Sequence, residues 1–164
     1  NIVPDYAACR FRVRARDREY LRSTFERVLA CAEGAARTTG ARLEWREYAQ
    51  PYDDYRHNVR LGEVFRANLR ALGLEAGPDR SEIWASTDFG NVSQVVPGLH
   101  AFIQVAPAGT RIHSLEFARA AISPQAQQAA ILGAKALALT TLDLLADPAL
   151  MQQVRAEFAG TTPP

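Results

Sequence analysis

Apolar residues at helical spacing constrain the fold of this chain more than any other feature. Asp17 is a candidate N-cap, and after it apolar side chains recur three or four residues apart until Gly40, which supplies a stop signal. The members of this stripe are Leu21, Phe25, Val28, Leu29, Ala32 and Ala36. The same spacing predicts a second helix over residues 61–72 that ends at Gly73.

A long alanine-rich helix is predicted to follow Ser123-Pro124, because serine caps a helix and proline is favoured in its first turn. Asp147-Pro148 ends this helix and starts a last one that runs through Phe158. The stripe on the alanine-rich helix consists of Ala126, Ala130, Ala134, Leu137, Thr141 and Leu145. Such a helix usually packs closely against a sheet, so we expect this stripe to face one.

Short alternating or apolar runs predict strands between the helices. In residues 8–15, Cys9, Phe11 and Val13 alternate with Arg10, Arg12 and Arg14. Further strands are predicted over residues 42–48, 82–85 and 101–105, with a domain boundary in the turn-rich stretch 50–58. Strands among helices indicate an α/β fold in two parts.

Composition excludes several classes of function. The chain has 164 residues, of which 48% are hydrophobic and 23% charged, and its net charge of +1 gives no strong field for nucleic acid or an anionic membrane. No continuous apolar run reaches the ~20 residues of a membrane span. Cys9 and Cys31 are expected to be two buried free thiols and not a disulfide, as in a cytoplasmic protein. Because Asn1 enters an extended segment without an initiator methionine, we expect a piece of a longer protein.

Polar residues that could form a site cluster on turns around residues 101–105. Ser86-Thr87-Asp88 offers hydroxyls and a carboxylate, although such residues also serve simply as turn caps. His113 could ligate a metal, but the sequence has no H-E-x-x-H, no C-x-x-C and no second ligand at helical spacing. The residues alone therefore do not establish a metal site.

Several short motifs together resemble a known family. Asn1-Ile2-Val3-Pro4, the stretch Ser86-Thr87-Asp88-Phe89-Gly90-Asn91-Val92-Ser93 and His113-Ser114-Leu115-Glu116-Phe117 occur in the order seen in di-zinc amidohydrolases and metallopeptidases of the aminoacylase and carboxypeptidase G type. The chain looks most similar to the branch of aminobenzoyl-glutamate hydrolase. The resemblance implies the second half of a ferredoxin-like β-α-β lid and dimerisation domain in residues 1–52, and the C-terminal part of a zinc-peptidase-like α/β catalytic domain in 53–164.

The resemblance also implies roles for particular residues. His113 would supply an imidazole to one of two zinc ions, while the other ligands and the general-base glutamate would lie upstream of Asn1, so no catalytic residue is expected in this chain. Asn1 and Arg14, 13 positions apart as in the family, would hold the carboxylate of the substrate.

The family also places a hydroxyl-rich turn at the rim of the active site. Ser86, Thr87, Asp88 and Asn91 would contact the substrate there. The family usually has a glycine just before this turn, where this sequence has Ala85, which puts close backbone approach in doubt.

The function implied is that of a zinc-dependent amidohydrolase or peptidase. It would cleave an amide bond of an acyl- or aminobenzoyl-amino acid or of a dipeptide-like substrate, with two zinc ions that polarise the carbonyl and lower the pKa of water. The 164 residues alone are expected to be inactive and to bind zinc weakly, and the lid is expected to form a homodimer.

Two other functions stay open from the sequence. One is a non-catalytic association module, since truncated sheets expose edges that pair. The other is a nucleic-acid-binding βαβ module that uses Arg10, Arg12 and Arg14, but Phe11 alternates to the opposite side and cannot stack bases beside them.

Overall fold

All regular secondary structure in the described part of the chain is helical. This computed structural model describes residues 1–75, 77 and 86–160. The helices there are α1 (Arg18–Thr39), α2 (Val59–Ala71), α3 (Phe89–Ser93), α4 (Leu115–Ala121), α5 (Pro124–Ala146) and α6 (Pro148–Gly160). The chain divides into two compact units. The first comprises Asn1–Asp54 with residues 86–88, and the second the described residues of 55–75, 77 and 89–160.

Helix α1 forms the centre of the first unit and confirms the prediction for this stretch. The Asp17 carboxylate accepts a hydrogen bond from the Tyr20 N–H at 2.8 Å and caps the first turn. Gly40 ends the helix with a left-handed φ of 74°, which a residue without a Cβ adopts at little cost. The predicted stripe is the half-buried side of α1, although α1 has no fully buried residue.

The strands predicted on either side of α1 do not form. Residues 8–15 and 42–48 are extended segments without strand pairing. Side-chain contacts are present instead: Trp45 meets the Phe25 ring edge-on at 5.6 Å, and the Arg10 guanidinium lies 5.7 Å from the Tyr48 ring. Alternation indicates which side chains share a side, but a two-stranded ribbon is marginal without further strands. The ferredoxin-like β-α-β prediction is therefore wrong, and the strand predicted over 82–85 lies outside the described residues.

The second unit is built around α5, which contacts α2, α4 and α6. Its core consists of Phe65, Leu69 and Ala136, and Ala136 has no exposed surface. Partly buried side chains pack around this core, namely Leu72, Leu74, Leu99, Ala101 and Ile103. The helices α2, α5 and α6 were all predicted from the sequence, and their caps Asn58, Ser123 and Asp147 explain where each begins or ends.

Residues 101–105 also differ from the prediction. They form no strand, although their exposure alternates, with Ala101, Ile103 and Val105 partly buried. Ile103 packs into a notch at Gly133 of α5, where a Cβ would lie 3.1 Å from the Ile103 Cγ1. A helix therefore covers the apolar side of this segment where a sheet was expected, and the α/β catalytic-domain prediction is wrong as well.

The side of α5 that faces the core differs from the predicted stripe. The buried positions are Ala126, Gly133, Ala136 and Thr140. Apart from Ala126, the predicted stripe is exposed, and Leu137 and Leu145 keep 51% and 72% of their surface. Helix α5 thus carries apolar residues on two sides, of which one is covered in the second unit.

Asn58 joins the start of α2 to α6. Its side-chain oxygen accepts a hydrogen bond from the Leu61 N–H at 2.9 Å, and its amide nitrogen donates to the Val154 carbonyl at 3.0 Å. Beside it, the Glu157 carboxylate accepts hydrogen bonds from the N–H groups of Val59 and Arg60 at 2.7 and 2.8 Å. A carboxylate at a helix N-terminus is favourable because unpaired N–H groups and the positive end of the helix dipole meet it there.

Replacing Asn58 with alanine is expected to destabilise the second unit by about 2 kcal/mol, roughly 1 kcal/mol each for the helix cap and for the buried hydrogen bond. Asn58→Ser is the control, because a serine keeps the cap and removes only the bond to α6. Asn58→Ser should lower the free energy of unfolding by about half as much as Asn58→Ala. Urea unfolding, followed by hydrogen exchange of α2 peptides, measures both losses. A serine variant as stable as the parent would show that the bond to Val154 contributes nothing, and equal losses in the two variants would show that the cap contributes nothing.

Candidate functional site

His113 has the most unusual backbone conformation among the described non-glycine residues. Its φ is 62°, in the left-handed region that side chains seldom adopt. Two tight turns hold it there: Gly109, with φ of 85°, precedes it, and the Ser114 hydroxyl donates to the Arg111 carbonyl at 2.7 Å. The imidazole is exposed. A strained residue held by its neighbours is a recognised feature of functional sites, so this geometry supports a role for His113.

Ser114 fixes the helix that follows His113. Its hydroxyl also accepts a hydrogen bond from the Phe117 N–H at 3.1 Å, which makes it the N-cap of α4. The backbone N–H of Glu116, and next the nearby Ser114 hydroxyl, lower the pKa of the Glu116 carboxyl by favouring its charged form. Helix α4 was not predicted, although a serine two residues before a glutamate is a usable start signal.

A zinc site needs three or four ligands close together. Within the described ranges, no group of three or more His, Cys, Asp or Glu side chains could hold a metal ion. His113 therefore supplies one possible ligand, and the described residues do not make up a zinc centre by themselves.

The turn at Ser86, Thr87 and Asp88 lies in the first unit. The Thr87 hydroxyl donates to the Asp88 carboxylate at 3.4 Å, and Ser86 and Asp88 are exposed. Asn91 is exposed on α3 in the second unit, where the resemblance implied a turn. A carboxylate held by a neighbouring hydroxyl is a suitable acceptor for an N–H or guanidinium group of a ligand.

Asn1 and Arg14 also lie in the first unit, and both are exposed. Arg14 stands on the outer side of the extended segment, next to the half-buried Val13. Both side chains are free to meet a solvent-borne carboxylate, and their predicted role in substrate binding stays a prediction.

Tyr55 and Ser93 were not identified from the sequence, yet they anchor the loop around α3. Ser93 is 1% exposed; its hydroxyl donates to the Gly90 carbonyl at 2.7 Å and accepts from the Arg56 N–H at 2.9 Å. The Tyr55 hydroxyl donates to the Gly98 carbonyl and accepts from the His100 N–H, each at 3.2 Å. A tyrosine and a serine give no periodic signal, so only tertiary contacts reveal this role.

Aromatic rings also pack around Tyr55. The Phe89 ring lies 5.7 Å from Tyr55 and 5.3 Å from His100, and a Cβ on Gly98 would come within 2.8 Å of the Phe89 ring. Glycine at position 98 is therefore what allows the backbone to pass over the ring.

The chain is similar in sequence to curated dipeptidases. It is 34% identical to the Xaa-Arg dipeptidase of Mus musculus and 32% identical to that of Homo sapiens, in each case over 161 residues and 96% of this chain. The chain spans 37% of the length of these relatives. No protein-family model matches it. The similarity supports a relationship to peptidases and amidohydrolases, and it does not single out the aminobenzoyl-glutamate hydrolase branch.

Proposed function

We propose that this chain is part of a hydrolase that cleaves the amide bond of dipeptide-like substrates, with dipeptides ending in arginine as the first candidates. The observation that carries the proposal is the similarity over 96% of the chain to proteins named Xaa-Arg dipeptidase. Acyl- and aminobenzoyl-amino acids are further candidate substrates, because they share an amide bond next to a carboxylate-bearing group.

In this proposal, zinc is the cofactor of the complete protein and His113 is one ligand. The left-handed turn and the exposed imidazole support this role. The other ligands and the general base would come from the remainder of the complete protein, since the described residues do not make up a metal centre. The 164 residues alone are then expected to bind zinc weakly and to lack activity.

The residues of this chain would mainly bind and orient the substrate. An amide at Asn1 and a guanidinium at Arg14 suit a substrate carboxylate, which Arg can hold with two parallel hydrogen bonds. The Asp88 carboxylate would suit a cationic end of the substrate. A homodimer and a cytoplasmic location remain part of the proposal.

The proposal predicts different behaviour for the complete protein and the 164-residue chain. With zinc supplied, the complete protein should hydrolyse an Xaa-Arg dipeptide, and a chelator should abolish the activity. The 164-residue chain in the same assay is the control and should release no arginine. Hydrolysis should be followed by mass spectrometry with N-acetyl-arginine and aminobenzoyl-glutamate in parallel. A zinc-loaded complete protein that leaves every one of these amides intact would refute the function.

A further inference from the structure

The outer side of α5 is a second apolar surface in the second unit. We define the outer face of α5 as Ala130, Ile131, Ala134, Leu137, Ala138, Thr141, Leu142 and Leu145, all exposed. These positions recur at spacings of three and four, so they share one side of the helix. The other side of α5, which we call its core face, is formed by the buried residues Ala126, Gly133, Ala136 and Thr140. Between the two faces runs a narrow polar strip with Gln128 and Lys135.

A helix that is apolar on nearly all sides is usually buried in a larger protein or a membrane. In a monomeric soluble protein, contiguous exposed apolar patches normally mark an interaction site. The face carries four large side chains, each more than half exposed, namely Ile131, Leu137, Leu142 and Leu145. Small residues between them let a partner approach the helix backbone closely. The outer face of α5 therefore has the composition of an interface.

We propose that the outer face of α5 packs against the remainder of the same polypeptide in the complete protein. This inference rests on the proposed function, in which the chain is one part of a larger hydrolase. The aligned region is nearly all of this chain but only 37% of each relative, so most of a relative's length lies outside it. A large additional part of the polypeptide would then be available to cover this face.

The rest of the second unit argues against a bilayer as the occupant. Helix α5 has the length and apolar composition to cross a membrane, as core helices of soluble proteins also do. Its other side, however, packs against α2. Helix α2 is 13 residues long and exposes Arg60, Glu63 and Arg70. Burying α5 in lipid would bring these charges to the hydrocarbon, which is costly.

The proposal can be tested by hydroxyl-radical footprinting, which measures the oxidation of side chains peptide by peptide. The 164-residue chain is compared with the complete protein, both without substitutions. Leu137 and Leu145 should be oxidised readily in the isolated chain and protected in the complete monomer. Alkylation of Leu137→Cys gives a second readout, with Gln128→Cys on the polar strip as the matched control. We expect ~10-fold or greater slowing at position 137 in the complete protein, because a covered thiol reacts only through local opening, and little change at 128.

Three results would overturn the inference. Leu137 could stay reactive in the complete monomer. It could already be protected in the isolated chain in proportion to protein concentration, which would mean a second copy. It could be protected only by phosphatidylcholine and phosphatidylserine vesicles, which would mean a lipid surface. Dipeptide hydrolysis by the unsubstituted complete protein is measured separately, so protection without hydrolysis rejects the proposed function alone, and hydrolysis without protection rejects this inference alone.

Discussion

In the complete protein, His113→Asn is expected to lower kcat/KM for an Xaa-Arg dipeptide by ~100-fold or more. Even residues that only orient a metal ligand change activity by roughly 10- to 100-fold when substituted, and loss of the ligand itself should cost at least as much. The zinc content of the purified variant, measured by elemental mass spectrometry, should fall together with activity.

Asparagine is the informative substitution because His113 has a φ of 62°. Asparagine adopts the left-handed region more readily than most residues, so the turn before α4 should persist. His113→Ala would remove the imidazole and add backbone strain, which confounds the two effects. The control is His57→Asn, at an exposed histidine for which no catalytic or binding role is proposed, and its activity should stay within a few-fold of the parent. A His113→Asn protein with full activity and full zinc content would remove His113 from the site.

Replacing Phe65 with alanine should destabilise the second unit by about 3–5 kcal/mol, the usual range for a buried phenylalanine. Phe65 is 5% exposed and packs with Leu69 and Ala136 at the contact of α2 with α5. Since natural domains are stable by only about 5–15 kcal/mol, this change should leave a large fraction of the molecules unfolded in mild urea. Hydrogen exchange of α5 peptides is the suitable readout, because it reports on the second unit separately from the first.

Val59→Ala is the matched control for Phe65→Ala. Val59 lies on the same helix but is 63% exposed, and the substitution should change stability by less than about 0.5 kcal/mol. If the two variants were equally stable, the core assigned to α2 and α5 would be wrong.

Helices α1, α2, α5 and α6 could be predicted from the sequence because their signals are local, whereas the short helices α3 and α4 were missed. Asp17 and Gly40 bracket α1, and Ser123 and Asp147 bracket α5, in each case through a side chain or backbone within four residues. Strands could not be predicted in the same way, because a strand exists only where another strand pairs with it. Residues 8–15 alternate in sequence, yet Cys9 and Phe11 on the predicted buried side are exposed, and no described segment pairs with residues 8–15 or 101–105.

Which side of α5 faces the core could not be predicted from the sequence, for a related reason. Stripes through Ala130 and Leu137 and through Gly133 and Ala136 have equally good helical spacing, and the spacing alone does not say which partner each one meets. The candidate site residues were identified only as motifs, and their roles stay predictions. The left-handed turn at His113 and the anchors Tyr55 and Ser93 depend on tertiary contacts that leave no periodic pattern.

The notch at Gly133 also fixes the register of residues 101–105, which cross it. Sliding residues 101–105 by one position would bring the Phe102 ring or the Gln104 amide to a gap that has room for part of an isoleucine. Every alternate side chain would turn over at the same time. The absence of a Cβ at Gly133 thus selects one register of residues 101–105 against α5. That register in turn determines how many residues connect this segment to the turn at His113.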